Sequence, residues 1–191
     1  MNIGIIGLGL MGASFGKAFK KAGHTVYGFD TDRETMLKSE LVGAADAPLS
    51  GAEYGELDVL MIALNPRAFY GVATLAAPQL RAGAAVLDIG GNKRAVVAAM
   101  RKLAALYPDL NFIATHPMAG REYSGINHSS AAMFENASAL MIPVCASIEA
   151  AAAVKKLFLE IGFFRVLPSD AETHDRIIAY TSQLCHILSS S

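Results

Sequence analysis

The sequence predicts a doubly wound α/β fold with a mostly parallel sheet, followed by one helix of a different character. Three observations predict it. Short apolar runs alternate with helical patterns over most of the chain. The first such pair encloses Gly7-Leu8-Gly9-Leu10-Met11-Gly12, a G-x-G-x-x-G loop between a strand and a helix. From Ser169 the alternation stops and an apolar stripe at helical spacing takes over.

Taken in order, Ile3, Ile5 and Ile6 read as a buried strand. The glycine loop follows, then a helix from Ala13 to Lys21 ended by Gly23. Gly7 permits a tight turn, Gly9 a close backbone approach to a pyrophosphate, and Gly12 close helix–sheet packing. The helix N-terminus offers unpaired N–H groups to an anion. Thr25–Phe29 is the next strand, and it ends in Asp30, placed to bind an adenosine ribose. Arg33–Leu41 forms a short helix and Gly43-Ala44-Ala45 a brief strand. Leu57–Leu64 is a buried strand, and Asn65-Pro66 starts a helix as N-cap and first helical residue. Ala84–Asp88 is a strand with the exit loop Ile89–Lys93, and Arg94–Leu106 is helical. Asn111–Thr115 is a strand leading into His116-Pro117-Met118-Ala119-Gly120. Ala139–Val144, Ser147–Ile161 and Phe163–Leu167 complete the pattern as strand, helix and strand. In such sheets ligands lie beyond the carboxyl ends of the strands, so the loops at Gly7, Leu64, Ile89 and His116 should converge.

Composition narrows the function classes. The 191 residues are 53% hydrophobic and 17% charged, with net charge −1. That argues against disorder and gives no electrostatic footprint for nucleic acid or an anionic membrane. No apolar run approaches the roughly 18 residues of a membrane span. The N-terminus has no basic signal-peptide region. Cys145 and Cys185 make no disulfide framework, which predicts free thiols in a reducing cytoplasm. No cluster has metal-ligand spacing, so no metal is expected.

His116 is the leading catalytic candidate, because an imidazole at that strand exit can take a proton from a substrate hydroxyl. A loop histidine with a structural hydrogen bond explains the spacing equally well. His174 lies on the last helix beside Asp175, and Asp175, Ser182 and His186 share a face of it. They read as a polar stripe aimed into the crevice or, as spacing alone favours, a solvated helix face. Lys93 and Arg94 could contact a phosphate or carboxylate, but single basic residues at a helix start read first as surface residues. The apolar stripe at Ile177, Leu184 and Leu188 has no C-terminal cap, so either this helix docks on another subunit or, as the expectation favours, the chain is the front part of a longer protein.

These segments together resemble the prephenate/arogenate dehydrogenase family of tyrosine biosynthesis. The resemblance rests on Gly7–Gly12, Asp30, Asp88-Ile89-Gly90-Gly91-Asn92-Lys93 and above all on His116-Pro117-Met118-Ala119-Gly120-Arg121-Glu122-Tyr123-Ser124-Gly125. Thr173-His174-Asp175-Arg176 and Ser182–His186 add to it. It implies a Rossmann-type domain over residues 1–168 and the start of a helical substrate and dimerisation domain over 169–191. It further implies oxidative decarboxylation of prephenate or arogenate with a nicotinamide cofactor, in a homodimer of the full-length protein. By this resemblance His116 matches the catalytic histidine. His186, Ser182 and Glu122 match substrate-pocket residues. Cofactor contacts fall to Gly7, Leu8, Gly9, Leu10, Met11, Gly12, Asp30 and Leu64. Asp30 favours NAD over NADP, since a carboxylate repels a 2′-phosphate. Many relatives carry a serine where this chain has Gly91, so His116 is expected to be oriented differently, through backbone or water. Two other readings stay open: a related enzyme such as a β-hydroxyacid dehydrogenase, and a non-catalytic NAD-sensing module.

Overall fold

The computed structural model describes residues 1–120 and 122–180. Eight strands form one sheet: β1 (Asn2–Ile6), β2 (Thr25–Phe29), β3 (Ala47–Pro48), β4 (Val59–Ile62), β5 (Ala85–Asp88), β6 (Asn111–Met118), β7 (Ser138–Cys145) and β8 (Arg165–Pro168). Their order is β3-β2-β1-β4-β5-β6-β7-β8. Pairing is parallel throughout except where β7 runs antiparallel to β6. The order reverses between β1 and β4, the switch point at which ligands bind in open sheets.

The helices are α1 (Leu10–Lys21), α2 (Arg33–Leu41), α3 (Pro66–Ala76), α4 (Arg94–Leu106), α5 (Ile148–Glu160) and α6 (Ala171–Ile178). β4 is apolar at every position and β1 and β5 at all but one, because both faces are covered. Ile3, Ile5, Val59, Met61 and Leu87 pack towards α1 and α5. Ile6, Leu60, Ile62 and Val86 pack towards α3 and α4, against Phe69, Val97 and Met100. On the first face Phe15 stacks on Phe134 at 4.1 Å between ring centroids, and Phe158 and Phe163 close the cluster. Each such ring contributes about 1.5–3 kcal/mol on burial.

The caps that start the helices are local. Asp32, Asn65, Ser147 and Asp170 each accept a hydrogen bond from a backbone N–H in the first turn of the helix they precede. One strand lies elsewhere than expected. Gly43 takes a left-handed φ of 73° after α2, and the N–H groups of Ala44 and Ala45 both donate to the Ser39 carbonyl. That closure of the helix uses Gly43–Ala45, so pairing with β2 begins only at Ala47.

β6 is also longer than the sequence suggests. Its ladder with β7 continues through His116, Pro117 and Met118, whereas its ladder with β5 stops at Ala114. β6 therefore overhangs β5 by four residues. His116 sits within that overhang, on a strand held from one side only, rather than in a loop.

Candidate active site

The cofactor side is built by the β1–α1 turn. Gly7 has φ 95°, and a Cβ there would lie 2.6 Å from the Ala63 carbonyl oxygen. A Cβ on Gly12 would lie 1.8 Å from the Gly7 carbonyl oxygen, so only glycine lets α1 start this close to β1. Gly9 is different: it is exposed, and a Cβ there would meet nothing within 4 Å. Its open side leaves room for a pyrophosphate at the α1 N-terminus, where the first N–H groups have no intrahelical partner. The Leu8 side chain is buried in the core, so only its backbone faces the turn; Leu10 and Met11 are half-buried.

Asp30 fastens this turn. Its Oδ2 accepts from the Leu8 N–H at 2.8 Å and its Oδ1 from the Asp32 N–H at 3.0 Å. Beside it opens a cavity of about 480 Å³ lined by Phe29, Asp30, Tyr54, Leu64, Val72 and Gln79, among others. An apolar slot next to a carboxylate has the chemistry to take an adenine and its ribose. The glycine cradle, Asp30 and this slot together fit a dinucleotide.

The chemical side lies at the carboxyl ends of β5 and β6. Parallel neighbours are about 4.8 Å apart, so β1 and β6 are separated by roughly 14 Å along this edge. His116 is half-buried. Its Nδ1 is 2.8 Å from Nε2 of His174, and Nδ1 of His174 is 2.8 Å from Oδ1 of Asp175. His174 is fully buried. The solvated face favoured by spacing alone is thus incorrect for His174: α6 packs on α4 and turns this residue inward. The partner that orients His116 is a side chain, not the backbone or water expected from Gly91.

Asp175 holds α6 in place. Its Oδ1 also accepts from the Lys93 N–H at 2.9 Å, and its Oδ2 from the Arg94 N–H at 3.1 Å. Lys93 is the N-cap of α4 and supplies no side-chain cap of its own. A carboxylate from α6 therefore caps α4. Burial pushes the Asp175 pKa up, but the Lys93 N–H, His174 and the Arg94 N–H outweigh it and hold the carboxyl below its ordinary value.

Lys93 is buried too, contrary to the surface placement expected. Its Nζ lies 2.6 Å from Oδ2 of Asp88, which also accepts from the Gly90 N–H at 2.9 Å. Burial lowers the Lys93 pKa and raises that of Asp88, and their contact opposes both shifts. For His116, burial first, then the Lys93 ammonium, push the pKa down from 6.5 to about 4, with Asp175 acting the other way. His116 is thus a neutral base at physiological pH.

The family model for the nucleotide-binding domain of prephenate dehydrogenase matches residues 15–166. The chain belongs to the prephenate dehydrogenase family. It is 28% identical over 192 residues to the cyclohexadienyl dehydrogenase of Zymomonas mobilis, covering 98% of this chain and 64% of that protein. It is 28% identical over 191 residues to the prephenate dehydrogenase of Lactococcus lactis, covering 98% and 51%. The crystal structure of the Aquifex aeolicus prephenate dehydrogenase with hydroxyphenyl propionate and NAD+ superposes with TM-score 0.87 at 27% identity, over 98% of this chain and 66% of that one. The chain thus spans about half to two-thirds of the length of these relatives.

Several residues expected in the site have different standings. His116, the glycine loop, Asp30 and Leu64 lie along one sheet edge. Glu122 lies exposed in the segment after β6. Ser182 and His186 lie outside the described residues. Lys93 and His174 were missed as site residues although signals existed. Asp88 ends a wholly apolar strand, and a carboxylate buried there needs a cation. His174 stands three and four residues before Ile177 and Ile178, on their apolar side of α6. No helix of the described residues is long and apolar enough to cross a membrane. Among the described residues no group of three or more His, Cys, Asp or Glu could hold a metal.

Proposed function

We propose that this protein is the nucleotide-binding and proton-accepting part of a cytoplasmic, homodimeric, NAD-dependent prephenate or arogenate dehydrogenase. The observation that carries the reading is His116, kept neutral by burial at the cofactor edge and held through Nδ1 by His174. Nε2 is then the ring nitrogen left for substrate.

Gly7, Gly9, Gly12, Asp30 and Leu64 would hold NAD. NAD, when bound, supplies the hydride acceptor. His116 Nε2 accepts the proton of the ring C4 hydroxyl as the C4 hydrogen departs as hydride. The bond from the ring to its carboxylate breaks, carbon dioxide leaves, and the electron pair completes the aromatic ring by moving onto the C4 oxygen, which takes its proton back from His116. Aromatisation provides the driving force, so the protein's task is orientation, a proton acceptor and exclusion of water. Both oxygens of Asp30 accept backbone hydrogen bonds, and a carboxylate there offers a 2′-phosphate no donor, which supports NAD over NADP. Residues 169–191 would begin a helical domain that completes the pocket with Ser182, His186 and Glu122 and forms the dimer.

The test is NADH formation with prephenate and with arogenate, using the protein at its natural length. Turnover of either supports the reading and tells which is preferred. NAD binding without turnover of either substrate would sink it and favour a sensing module.

A further inference from the structure

We infer that His174 and Asp175 are positioning residues for His116: together they hold its ring as the Nδ1–H tautomer and keep Nε2 bare. The inference rests on His116 as the base proposed above, and it concerns which of its two nitrogens can act.

The argument follows the donors. Asp175 accepts from two backbone N–H groups, of Lys93 and of Arg94, which can only donate. As an ionised carboxylate it has acceptors alone, so the short contact to Nδ1 of His174 is a hydrogen bond donated by His174. A neutral imidazole has one donor and one acceptor. With Nδ1 donating, Nε2 of His174 carries the lone pair. It must accept across the 2.8 Å contact, so Nδ1 of His116 donates. Neutral His116 then has its lone pair on Nε2.

The alternative is a doubly protonated His174 whose Nε2–H donates to His116, which would put the His116 proton on Nε2 and abolish the base. The ring of His174 cannot rotate freely to exchange its nitrogens. It is wholly buried, and its neighbour Asp175 is tied to the start of α4. The titratable groups that act on His116 are Lys93, His174 and Asp175, and none of them supplies a second acceptor to Nδ1. The arrangement carries orientation from the α4 N-terminus through two side chains to the reacting nitrogen. It has the logic of any buried acid–imidazole pair in which the acid selects the tautomer.

The test is the protonation of the ring nitrogens, read by 15N NMR of histidine-labelled protein at its natural length near neutral pH. The expected result is Nδ1–H with bare Nε2 at both His116 and His174. In His174→Leu the His116 ring should shift towards Nε2–H, and kcat should fall about 10²-fold with NADH affinity unchanged. His174→Gln, whose Oε1 can accept from Nδ1, should recover at least about a tenth of the lost rate. A role confined to structure would lower the folded fraction and leave both the tautomer and the kcat of folded protein alone. An Nε2–H tautomer at His116, a doubly protonated His174, or undiminished kcat in His174→Leu would each overturn the inference. The tautomer reading needs no substrate. It therefore stands or falls separately from the proposed activity, which fails only if the parent protein turns over neither compound.

Discussion

Nζ of Lys93 and Oδ2 of Asp88 are 2.6 Å apart, with side-chain exposures of 0% and 3%. This ion pair ties the end of β5 to the start of α4. Asp88 adds bonds to β6: its Oδ1 accepts from the Thr115 N–H at 3.3 Å, and its carbonyl accepts from Thr115 Oγ1 at 2.5 Å. His116 follows directly, so the pair is at once a staple of three elements and the fixed positive charge that helps keep His116 neutral.

Removing one partner strands the other in a dry site. Lys93→Met is expected to cost about 3–5 kcal/mol in chemical denaturation. The double change Asp88→Asn with Lys93→Met should recover much of that loss. A cost below about 1 kcal/mol for the single change would mean the pair is solvated.

His116→Asn should lower kcat by about 10²–10⁴-fold, the range for loss of a general base. NADH affinity, read by fluorescence titration, should stay within about twofold, because the glycine loop and Asp30 lie several strands away. Unchanged turnover would remove His116 from the chemistry.

The depressed pKa of His116 makes a stability prediction. Between about 4 and 6.5 the unfolded chain binds a proton that the folded protein refuses. Folding stability should therefore rise with pH across that window and fall as pH drops through it. Below about 4 both states are protonated and this loss stops. His116→Gln should flatten the profile in the same window, as measured by denaturant midpoints at a series of pH values.

The second and third glycines of the loop should separate binding from folding. Gly9→Ala adds a methyl group that meets nothing within 4 Å, so stability should change by less than about 0.5 kcal/mol while NADH binding weakens about tenfold. Gly12→Ala drives a methyl group to 1.8 Å from the Gly7 carbonyl oxygen, and should cost about 1–3 kcal/mol or more in thermal or chemical unfolding.

Asp30→Ser tests cofactor choice. It removes a carboxylate that accepts the Leu8 and Asp32 N–H groups. NADH affinity should fall about tenfold or more, since hydrogen bonds to a charged group contribute about 1.5–3 kcal/mol. The ratio of NADH to NADPH affinity should move towards one. A ratio that stays put would place cofactor discrimination elsewhere.

Much of this protein is legible in its sequence, for local reasons. α2 and α4 occupy the expected residues, and Asn65-Pro66 starts α3 as expected, because periodicity and capping act over one or two turns. The glycine loop is legible because its steric demands involve neighbours at Gly7 and Gly12. Gly43–Ala45 is not, because a short apolar segment serves equally as a strand or as the closing turn of a helix, and the carbonyl of Ser39 decides between them.

What the sequence by itself determined is the alternation of strands and helices, the cofactor loop and the place of His116 near a strand end. What only the tertiary structure decided is the company His116 keeps. His174 comes from 58 residues further along the chain, and Asp175 caps a helix that begins 81 residues before it. Spacing reports which residues share a face of one element. Which element that face meets is chosen by burial, as α6 packs on α4, and burial turns Lys93 and His174 from ordinary polar residues into a paired cation and an oriented base partner.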